Sequence, residues 1–443
     1  MPAVEFTGYQ GLVLFSRQAY APPRLIQEGA TIMLQLNPRT ASRMLNVVRR
    51  PEGLHKTDID GRTSLNVPVY EAELWTSRQR QASPIHEISY RACFKPQLPA
   101  YFIDRLTREG DVVYDPYSGR GTTAVEAALR GRNVIVNDIN PLSVILTYPR
   151  LELPNVTEID MRLKSLRFAA RPRGDMDLSM FFHPDTEYEI LGLREYLYRR
   201  ARGGTEDSVD RWIRMVATNR LTGHSPGFFS VYTLPPNQAV LPEDQLRINA
   251  RLKQEPEYRD IRALILKKSM QLQGRLYAAE RWRLHKAAAE ALLLSKDARA
   301  TDDIPDNSVQ LTVTSPPFLD VVQYARDNWL RCWFNGFDAE KVGERITMSK
   351  TVEDWEAEMA AVFRELYRIT KPGGSVAFEV GEVRRGTVKL DEIVAPLGMG
   401  AGFDCSAILI NAQRFTKTSN IWGVKNNNNG TNSNRIVLFQ KKK

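Results

Sequence analysis

The sequence predicts an α/β fold: a Rossmann-like, doubly wound sheet with an antiparallel final hairpin, plus a mainly helical insertion. Three observations support this. A strand, a glycine turn, a helix and a second strand follow one another between Asp111 and Asp138, which is the order of a βαβ unit. Sheet-like segments return after about residue 286. Finally, "CSAILI" (405–410) and "RIVLFQ" (435–440) form the last two apolar segments and predict an antiparallel pair.

The first half of the sheet is predicted element by element. "KPQLPAYFIDRLTREG" has apolar residues at helical spacing and ends at Gly110. "DVVYDP" (111–116) is a short strand, and "YSGRG" (117–121) is a tight glycine turn. "TTAVEAALR" (122–130) is a helix closed by a glycine, and "NVIVND" (133–138) is the second strand.

The second half begins with a strand at Val309–Val313, "VQLTV", which is rich in β-branched residues. The strand has to end at Ser315, because the two prolines that follow cannot donate to a sheet ladder. "VEDWEAEMAAVFRELYRIT" (352–370) then predicts a helix. "KPGG" (371–374) predicts a turn before the strand "SVAFEVGE".

Four segments follow from these patterns. Residues 1–85 are an N-terminal extension to which we assign no chemistry, and 86–150 are the half of the sheet that carries the glycine turn. Residues 151–285 are polar and mainly helical, and 286–443 return to sheet. Between Arg247 and Arg283 the chain has ten lysines and arginines but four acidic residues, so the insertion carries much of the positive charge of the protein.

Composition limits the classes of protein that fit. The chain has 443 residues and a formal net charge of +9, which is compatible with a polyanionic partner. Its three cysteines lie far apart without a CxxC pair, which disfavours a disulfide framework or a zinc site and suits a reducing cytoplasm. We find neither a signal peptide nor an apolar run long enough to span a membrane.

"DPYSGRGTT" (115–123) predicts a ligand site for an anionic group. Gly119 and Gly121 allow close approach of the backbone, and the helix that starts at Thr122 directs its free N–H groups to the same point. Asp138, nineteen residues after Gly119, is placed to accept hydrogen bonds from ribose hydroxyls. A dinucleotide and S-adenosylmethionine both fit. Asp115 favours S-adenosylmethionine, because a carboxylate repels a pyrophosphate but accepts from an ammonium.

Together, "DPYSGRGTT" and "TSPPF" (314–318) resemble the motifs of the DNA amino-methyltransferases, which modify exocyclic nitrogens of cytosine or adenine. The resemblance covers roughly 86–143 and 297–440. It implies a class I S-adenosylmethionine-dependent fold, with this cofactor held by the glycine turn, the ribose acid and three residues that lie outside both. The implied cofactor residues are Phe94, Pro96, Asp115, Pro116, Tyr117, Gly119, Gly121, Thr122, Thr123, Asp138 and Asp297.

The resemblance also assigns catalysis to Ser315, Pro316, Pro317 and Phe318. An exocyclic amine is a weak nucleophile, because its lone pair is delocalised into the ring. The Ser315 hydroxyl and the Pro316 carbonyl are expected to accept its N–H groups and aim the lone pair at the methyl group. Phe318 is expected to stack on a base that has left the duplex. Serine before the double proline favours N4 of cytosine, whereas aspartate or asparagine goes mostly with adenine.

The basic insertion is the expected DNA-contacting and target-recognition region, with Lys267, Lys268, Arg275 and Arg283 as candidates. For Phe228, Phe229 and Tyr232, base contact and buried packing are equally compatible with the sequence. Core packing is favoured for the aromatic residues of "QYARDNWLRCWF" (323–334), although Tyr324 is also placed to reach a base. Trp422, in the loop before the last strand, is a further base-pocket candidate.

The expected activity is therefore sequence-specific methylation of cytosine N4 in duplex DNA by base flipping and direct in-line transfer. Its expected setting is the cytoplasm of a prokaryotic cell or a phage-infected host, with or without a cognate restriction endonuclease. N6-adenine methylation of DNA is the nearest alternative, followed by an RNA amino-methyltransferase. A catalytically silent DNA-binding module and a nicotinamide-dependent oxidoreductase are further alternatives. The sequence leaves the recognition site and the oligomeric state open.

Overall fold

The computed structural model places the predicted elements in one sheet flanked by helices. The described residues are 48–49, 54–57, 64–72, 82–91, 93–168, 176–233, 239–317, 324–346, 349, 351–383, 388–412 and 433–443.

Nine strands form the main sheet, in the order β1-β4-β12-β13-β9-β8-β5-β6-β7. Two short hairpins, β2–β3 and β10–β11, lie outside it. The strands are β1 (Val48–Arg49), β2 (Leu54–Thr57), β3 (Ser64–Val67), β4 (Val69–Ala72), β5 (Val112–Asp115), β6 (Asn133–Asn137), β7 (Leu292–Leu294), β8 (Val309–Thr314), β9 (Thr370–Val380), β10 (Glu382–Val383), β11 (Val388–Lys389), β12 (Asp404–Ala412) and β13 (Ser433–Gln440).

The described helices include two short 3₁₀ turns, Pro84–His86 and Tyr148–Arg150. The α-helices are α1 (Gln97–Leu106), α2 (Thr122–Leu129), α3 (Leu142–Thr147), α4 (Val156–Ser165), α5 (Pro184–Arg202), α6 (Ser208–Arg220), α7 (Pro242–Leu252), α8 (Ile261–Gln273), α9 (Ala278–Glu290), α10 (Tyr324–Asp327), α11 (Trp329–Phe334), α12 (Ala339–Arg345), α13 (Val352–Ile369) and α14 (Leu390–Gly400).

The sheet confirms the predicted fold class. β7, β6, β5, β8 and β9 are parallel neighbours, and β13 lies antiparallel between β9 and β12. This is a class I S-adenosylmethionine-dependent methyltransferase fold, with the predicted antiparallel final hairpin. The helical insertion enters between β6 and β7, two neighbouring strands.

Two features of the sheet differ from the sequence-based expectation. The predicted "KPGG" turn is instead part of β9, which begins at Thr370 and meets β8 through a register irregularity between Val309 and Leu311. The N-terminal extension also contributes to the sheet, because β4 pairs in parallel with β12 and β1 pairs with β4. Both pairings join segments distant in sequence, and local patterns do not specify such contacts.

The two faces of the sheet carry two hydrophobic cores. One contains residues of α1, α2 and the helical insertion, including Val125 and Trp212. The other lies under α13 and α14, where Phe363 packs on Phe378 and Phe439. The insertion therefore shares a core with the sheet. None of the described helices is long and apolar enough to cross a membrane, and the described residues hold no group of three or more His, Cys, Asp or Glu side chains arranged for a metal.

Phe363→Ala tests the second core. Phe363 is fully buried, and its ring centre lies 4.8 Å from that of Phe378 and 5.1 Å from that of Phe439. Removing the ring leaves a cavity, so the free energy of unfolding should fall by about 3–5 kcal/mol in urea denaturation. Leu246→Ala, at a largely exposed position of α7, is the control and should change it by less than about 0.5 kcal/mol. Equal losses in both variants would contradict this packing.

Candidate active site

The candidate active site lies where three neighbouring parallel strands end. Asp115 is the last residue of β5, Asp138 directly follows β6, and Ser315 directly follows β8. Carboxyl ends of parallel strands meet at one edge of a sheet, which is where α/β proteins bind ligands. The fold thus brings together the two sequence motifs, which lie almost 200 residues apart.

A polar junction joins the two motifs. The Thr314 hydroxyl donates to Oδ1 of Asp115 at 2.6 Å, and the same oxygen accepts from the Tyr117 N–H at 3.1 Å. The Thr123 hydroxyl donates to the Val313 carbonyl at 3.1 Å. The glycine-turn segment is therefore bonded directly to the strand that carries the double proline.

Asp115 is buried and only partly hydrogen-bonded. Its Oδ2 has no hydrogen-bond partner within the described residues. Burial raises the pKa of Asp115 to about 7, although the hydrogen bonds from Thr314 and Tyr117 oppose the shift. An unpartnered buried carboxylate oxygen is costly, and a cationic hydrogen-bond donor would satisfy it.

The glycine turn is held by the acid that follows β6. The Gly119 N–H donates to Oδ2 of Asp138 at 2.8 Å, and the Asn140 N–H donates to Oδ1 at 2.9 Å. Burial raises the pKa of Asp138 to about 6. Gly121 has φ of +74°, and a Cβ there would lie 2.1 Å from Oγ1 of Thr147. The turn therefore needs glycine at 121 for its conformation and for the close approach of α3.

A cleft opens along this edge and encloses about 900 Å³, its open mouth included, which is within the range of small-molecule sites. Seven predicted site residues line it: Pro116, Tyr117, Gly119, Asp138, Asp297, Ser315 and Pro317. Asp297 is bonded to Arg299, which holds the pKa of its carboxyl below the usual value. Its other lining residues are Tyr90, Ile139, Asn140, Lys296, Ala298, Arg299, Arg345, Ile346, Trp355, Glu358, Met359 and Val362.

The Ser315 side chain is hydrogen-bonded to a buried carboxylate, Glu379 of β9. The Asn434 side-chain amide, at the start of β13, also donates to Glu379. Burial raises the pKa of Glu379, while these two hydrogen bonds lower it. Since a carboxylate only accepts, the Ser315 hydroxyl donates to Glu379 and keeps its own lone pairs for another donor.

The loop after Ser315 is fixed by Trp355 of α13. Its indole Nε1 donates to the Pro317 carbonyl at 3.0 Å, and the ring also lines the cleft. Pro316 is buried. The Pro317 carbonyl therefore already accepts a hydrogen bond, and α13 holds the double-proline segment in place.

Comparison with known proteins finds similarity to DNA methylases, in agreement with the resemblance of the motifs. The family model described as "DNA methylase" matches residues 46–145, which include the glycine turn and Asp138. Type II methyltransferase M.MjaII of Methanocaldococcus jannaschii is 31% identical over 99 residues, 21% of this chain and 19% of that protein. Type II methyltransferase M.MvaI of Kocuria varians is 26% identical over 128 residues, 28% and 25% of the two chains.

A third relative, type II methyltransferase M.BsoBI of Geobacillus stearothermophilus, is 21% identical over 305 residues, 65% of this chain and 60% of that protein. The chain is thus similar to DNA methylases over the segment that carries the glycine turn, and to type II methyltransferases over parts of its length. It spans less than two thirds of the length of each of these relatives. The likeness to M.BsoBI extends over most of this chain, beyond the segment that the family model matches.

Several residues predicted from the amino-methyltransferase motifs lie away from the cleft. Phe94 packs against the core under α1 and α2, and Pro96 lines a separate surface depression with Glu126 and Arg130. The Thr122 hydroxyl accepts from Arg120 at 3.2 Å. Phe318 and Trp422 lie outside the described residues, as does the side chain of Tyr324.

The four predicted DNA contacts differ in exposure. Lys267 and Arg275 are exposed, whereas Arg283 is half-buried and donates to the Leu129 carbonyl at 3.3 Å. Lys268 is buried, and its Nζ donates to Gln271 at 3.1 Å. A buried lysine does not project along a solvated helix face, so the charge run in the sequence does not form one continuous surface.

The structure supports packing roles for most of the aromatic residues in question. Phe228 and Phe229 are buried, and Tyr232 is half-buried. Of the segment after the double proline, Trp333 and Phe334 are buried, as predicted.

Several residues of this candidate site were not predicted from the sequence. Glu379 left a usable signal, since a glutamate inside the apolar strand "SVAFEV" is rarely buried without a partner. Trp355 and Tyr90 left no such signal, because aromatic residues in helices and loops commonly belong to the hydrophobic core. Their contacts with Pro317 and the glycine turn arise from tertiary packing alone.

Asp115→Asn tests the buried carboxyl. The folded-state pKa is raised above the unfolded value, so the native state binds a proton that the unfolded state has lost, and stability falls as pH rises from about 4 to about 7. Asparagine removes this penalty. The free energy of unfolding of the variant should exceed that of wild type. In urea denaturation this excess should be about 1–2 kcal/mol larger at pH 8 than at pH 5.5.

The exposed Asp302→Asn is the matched control and should show no such pH-dependent gain. A gain for Asp115→Asn that is the same at both pH values would contradict a buried carboxyl that titrates near 7.

Proposed function

We propose that this chain transfers a methyl group from S-adenosylmethionine to the exocyclic N4 of cytosine in duplex DNA, at a short specific sequence, after base flipping. The observation that carries the proposal is that Ser315 lines the same cleft as Gly119 and Asp138 and is hydrogen-bonded to a buried carboxylate. The match of residues 46–145 to the DNA methylase model supports DNA as the acceptor, and the resemblance of the motifs to amino-methyltransferases supports an amino group. The serine before the double proline favours cytosine over adenine.

The residues at the strand ends fit the cofactor. The unpartnered Oδ2 of Asp115 suits an ammonium donor, and Asp138 has lone pairs left for ribose hydroxyls. By its place in the family motif, Asp297 would accept from the adenine amine. When bound, S-adenosylmethionine supplies a methyl group on a positive sulfur, and the S–C bonding electrons stay with that sulfur.

Ser315 and Pro316 would orient the target amine. With its hydrogen directed to Glu379, the Ser315 oxygen accepts one N–H of the amine, and the Pro316 carbonyl accepts the other. The amine lone pair forms the new N–C bond. The proton that the nitrogen then loses passes to Glu379 through the Ser315 hydroxyl, and burial raises the pKa of Glu379 in the direction that favours this.

The experiment that tests the function identifies the methylated base. Purified protein is incubated with labelled S-adenosylmethionine and duplex DNA, and the DNA is digested to nucleosides for mass spectrometry. We expect N4-methyldeoxycytidine. N6-methyldeoxyadenosine would establish the adenine alternative, and label in transfer or ribosomal RNA but not in duplex DNA would establish an RNA enzyme.

Ser315→Ala should lower methyl transfer by on the order of a hundredfold, because the amine loses one of its two acceptors. Thermal stabilisation by S-adenosylhomocysteine should stay unchanged, since the variant leaves the strand-end carboxylates intact. Ser308→Ala, just before the same strand, is the matched control and should keep full activity. Full activity in Ser315→Ala would rule out the proposed role.

Glu379→Gln should lower single-turnover methyl transfer at saturating cofactor by on the order of a hundredfold and flatten its pH profile. In the wild-type protein the ionised carboxylate is the active form, so the rate should fall as pH drops through the raised pKa of Glu379. Asp391→Asn is the matched control, because Asp391 is also a buried acid with a raised pKa but bonds Arg435 of β13. An unchanged pH profile in Glu379→Gln would contradict the proton path.

A further inference from the structure

Three buried cationic side chains lie around residues 87–90, a segment that ends at the cleft residue Tyr90. Arg220 is the last residue of α6, Arg331 lies in α11, and Lys268 lies in α8. Their exposed fractions are 8%, 4% and 7%. Lysine and arginine are almost never buried to this extent unless an acidic group pairs with them.

The hydrogen-bond partners of these cations within the described residues are neutral. Arg220 donates to the Asn219 side chain at 2.7 Å, and Arg331 donates to the Asn328 side chain at 2.8 Å. Lys268 donates to Gln271. The buried Nε of Arg220 has no partner within the described part of the chain. Arg220 therefore keeps one N–H donor that no group in the described part of the chain uses.

Two acidic residues near the cluster, Asp327 and Glu87, offset its positive charge only in part. Asp327 faces Arg331 but is already paired with Arg91 at 2.8 Å. Glu87, about half exposed, approaches Lys268 no closer than 3.9 Å. Burial and the charge of Arg331 lower the pKa of Arg220 to about 10. Burial and the charge of Arg220 lower the pKa of Lys268 to about 8. Arg220 is thus repelled by Arg331 and itself repels Lys268, and a bound anion would relieve that repulsion.

The cluster is adjacent to the cleft. The Arg331 guanidinium carbon lies 5.8 Å from the ring centre of Tyr90. Tyr90 lines the cleft and lies 3.4 Å from where a Cβ on Gly119 would be. The Asn219 amide, next to Arg220, donates to the Ser89 carbonyl at 2.9 Å. The Tyr90 ring therefore lies between Arg331 and the glycine turn.

Arg220 is held in place for a ligand. Its guanidinium carbon lies 3.9 Å from the ring centre of Phe228, so the planar group is stacked on one face. A guanidinium whose plane is fixed loses little freedom when it binds an oxyanion, and its forked N–H groups match the oxygens of a phosphate.

We propose that Arg220, Arg331 and Lys268 form a phosphate-binding site that holds a backbone phosphate of the DNA strand carrying the target base. The identification of the ligand as DNA rests on the proposed function; the phosphate site itself does not. Backbone contacts fix the register of a protein on DNA without reading sequence, and a base leaving the duplex needs its flanking phosphate to be held. A site one ring away from the cleft is placed for that phosphate.

The first experiment uses sodium pyrophosphate as the probe and compares thermal unfolding with sodium chloride at equal ionic strength. Wild type should be stabilised in a saturable manner. Arg331→Gln and Lys268→Met should each weaken the apparent affinity for pyrophosphate by roughly tenfold. The exposed Arg251→Gln is the matched control and should respond like wild type.

The unfolding temperature without pyrophosphate separates a binding role from a structural one. If the cations repel one another, removing one should leave that temperature unchanged or raise it. Lys268→Met keeps the aliphatic stem packed, so it stays informative even if the arginine variant does not fold. Wild type without a pyrophosphate response, or both cluster variants with the wild-type response, would overturn the proposal.

The second experiment identifies the phosphate in DNA. Duplexes with the mapped target base carry a neutral methylphosphonate at one position at a time on either side of that base, and binding is measured by fluorescence anisotropy. One substitution should weaken wild-type binding by roughly tenfold and have little further effect in Arg331→Gln, because both changes remove the same contact. Additive losses at every flanking position would place the contact elsewhere.

The outcomes distinguish this inference from the proposed function. Methyl transfer to DNA without a pyrophosphate response would leave the function standing and overturn the phosphate site. A saturable pyrophosphate response that depends on Lys268, without methyl transfer to DNA, would support the site and reject the proposed function.

Discussion

The parallel pairing of β5 with β8 is the constraint on which the site depends. Val113 pairs with Leu311 and Tyr114 with Thr312, so Asp115 and Thr314 end their strands side by side. The 2.6 Å hydrogen bond between them is possible only in this register, since a shift by one residue would turn Thr314 to the opposite face. Ser315 and the glycine turn face one cleft because of that register. Neither motif forms a binding site without the other.

The parts of this arrangement that depend only on neighbouring residues could be predicted from the sequence. The glycine turn, the helix after it and the strand stopped by two prolines each follow from backbone rules that act within a few residues. The order of strands and helices then implied a parallel sheet, and parallel strands bring their carboxyl ends to one edge. Asp115, Gly119, Asp138 and Ser315 were therefore predictable as neighbours.

The rest could not be predicted because it depends on contacts between distant segments. Trp355 contacts Pro317 from α13, 38 residues later in the sequence, and the pattern around Trp355 predicts only an amphipathic helix. Lys268 is a residue whose exposure the sequence pattern predicted wrongly. Its neighbours in sequence suggest a solvated basic face, whereas tertiary packing buries it. The extra strand β4, which lies between β1 and β12, could not be predicted either, since four residues carry too little pattern to specify a partner.

The helical insertion is better understood as part of the catalytic unit than as an attached module. Its buried residues, such as Trp212 and Ile213, belong to the same hydrophobic core as Val113 and Val125 of the sheet and α2. Close-packed cores transmit displacement rather than absorb it, so the insertion cannot move far without moving the helix that follows the glycine turn.

This arrangement gives the unfavourable groups around the cleft a common explanation. Among the described residues, Asp115 is buried with an unpartnered oxygen and Arg220 with an unpartnered nitrogen. Each costs stability in the free protein. Asp115 precedes the cleft residue Pro116, and Asn219, next to Arg220, is bonded to Ser89, which precedes the cleft residue Tyr90. Sequences usually break local rules in this way where a ligand supplies the missing partner. A cation for Asp115 and an anion for Arg220 are the two charges that a sulfonium amino acid cofactor and a DNA backbone would bring to the two sides of Tyr90.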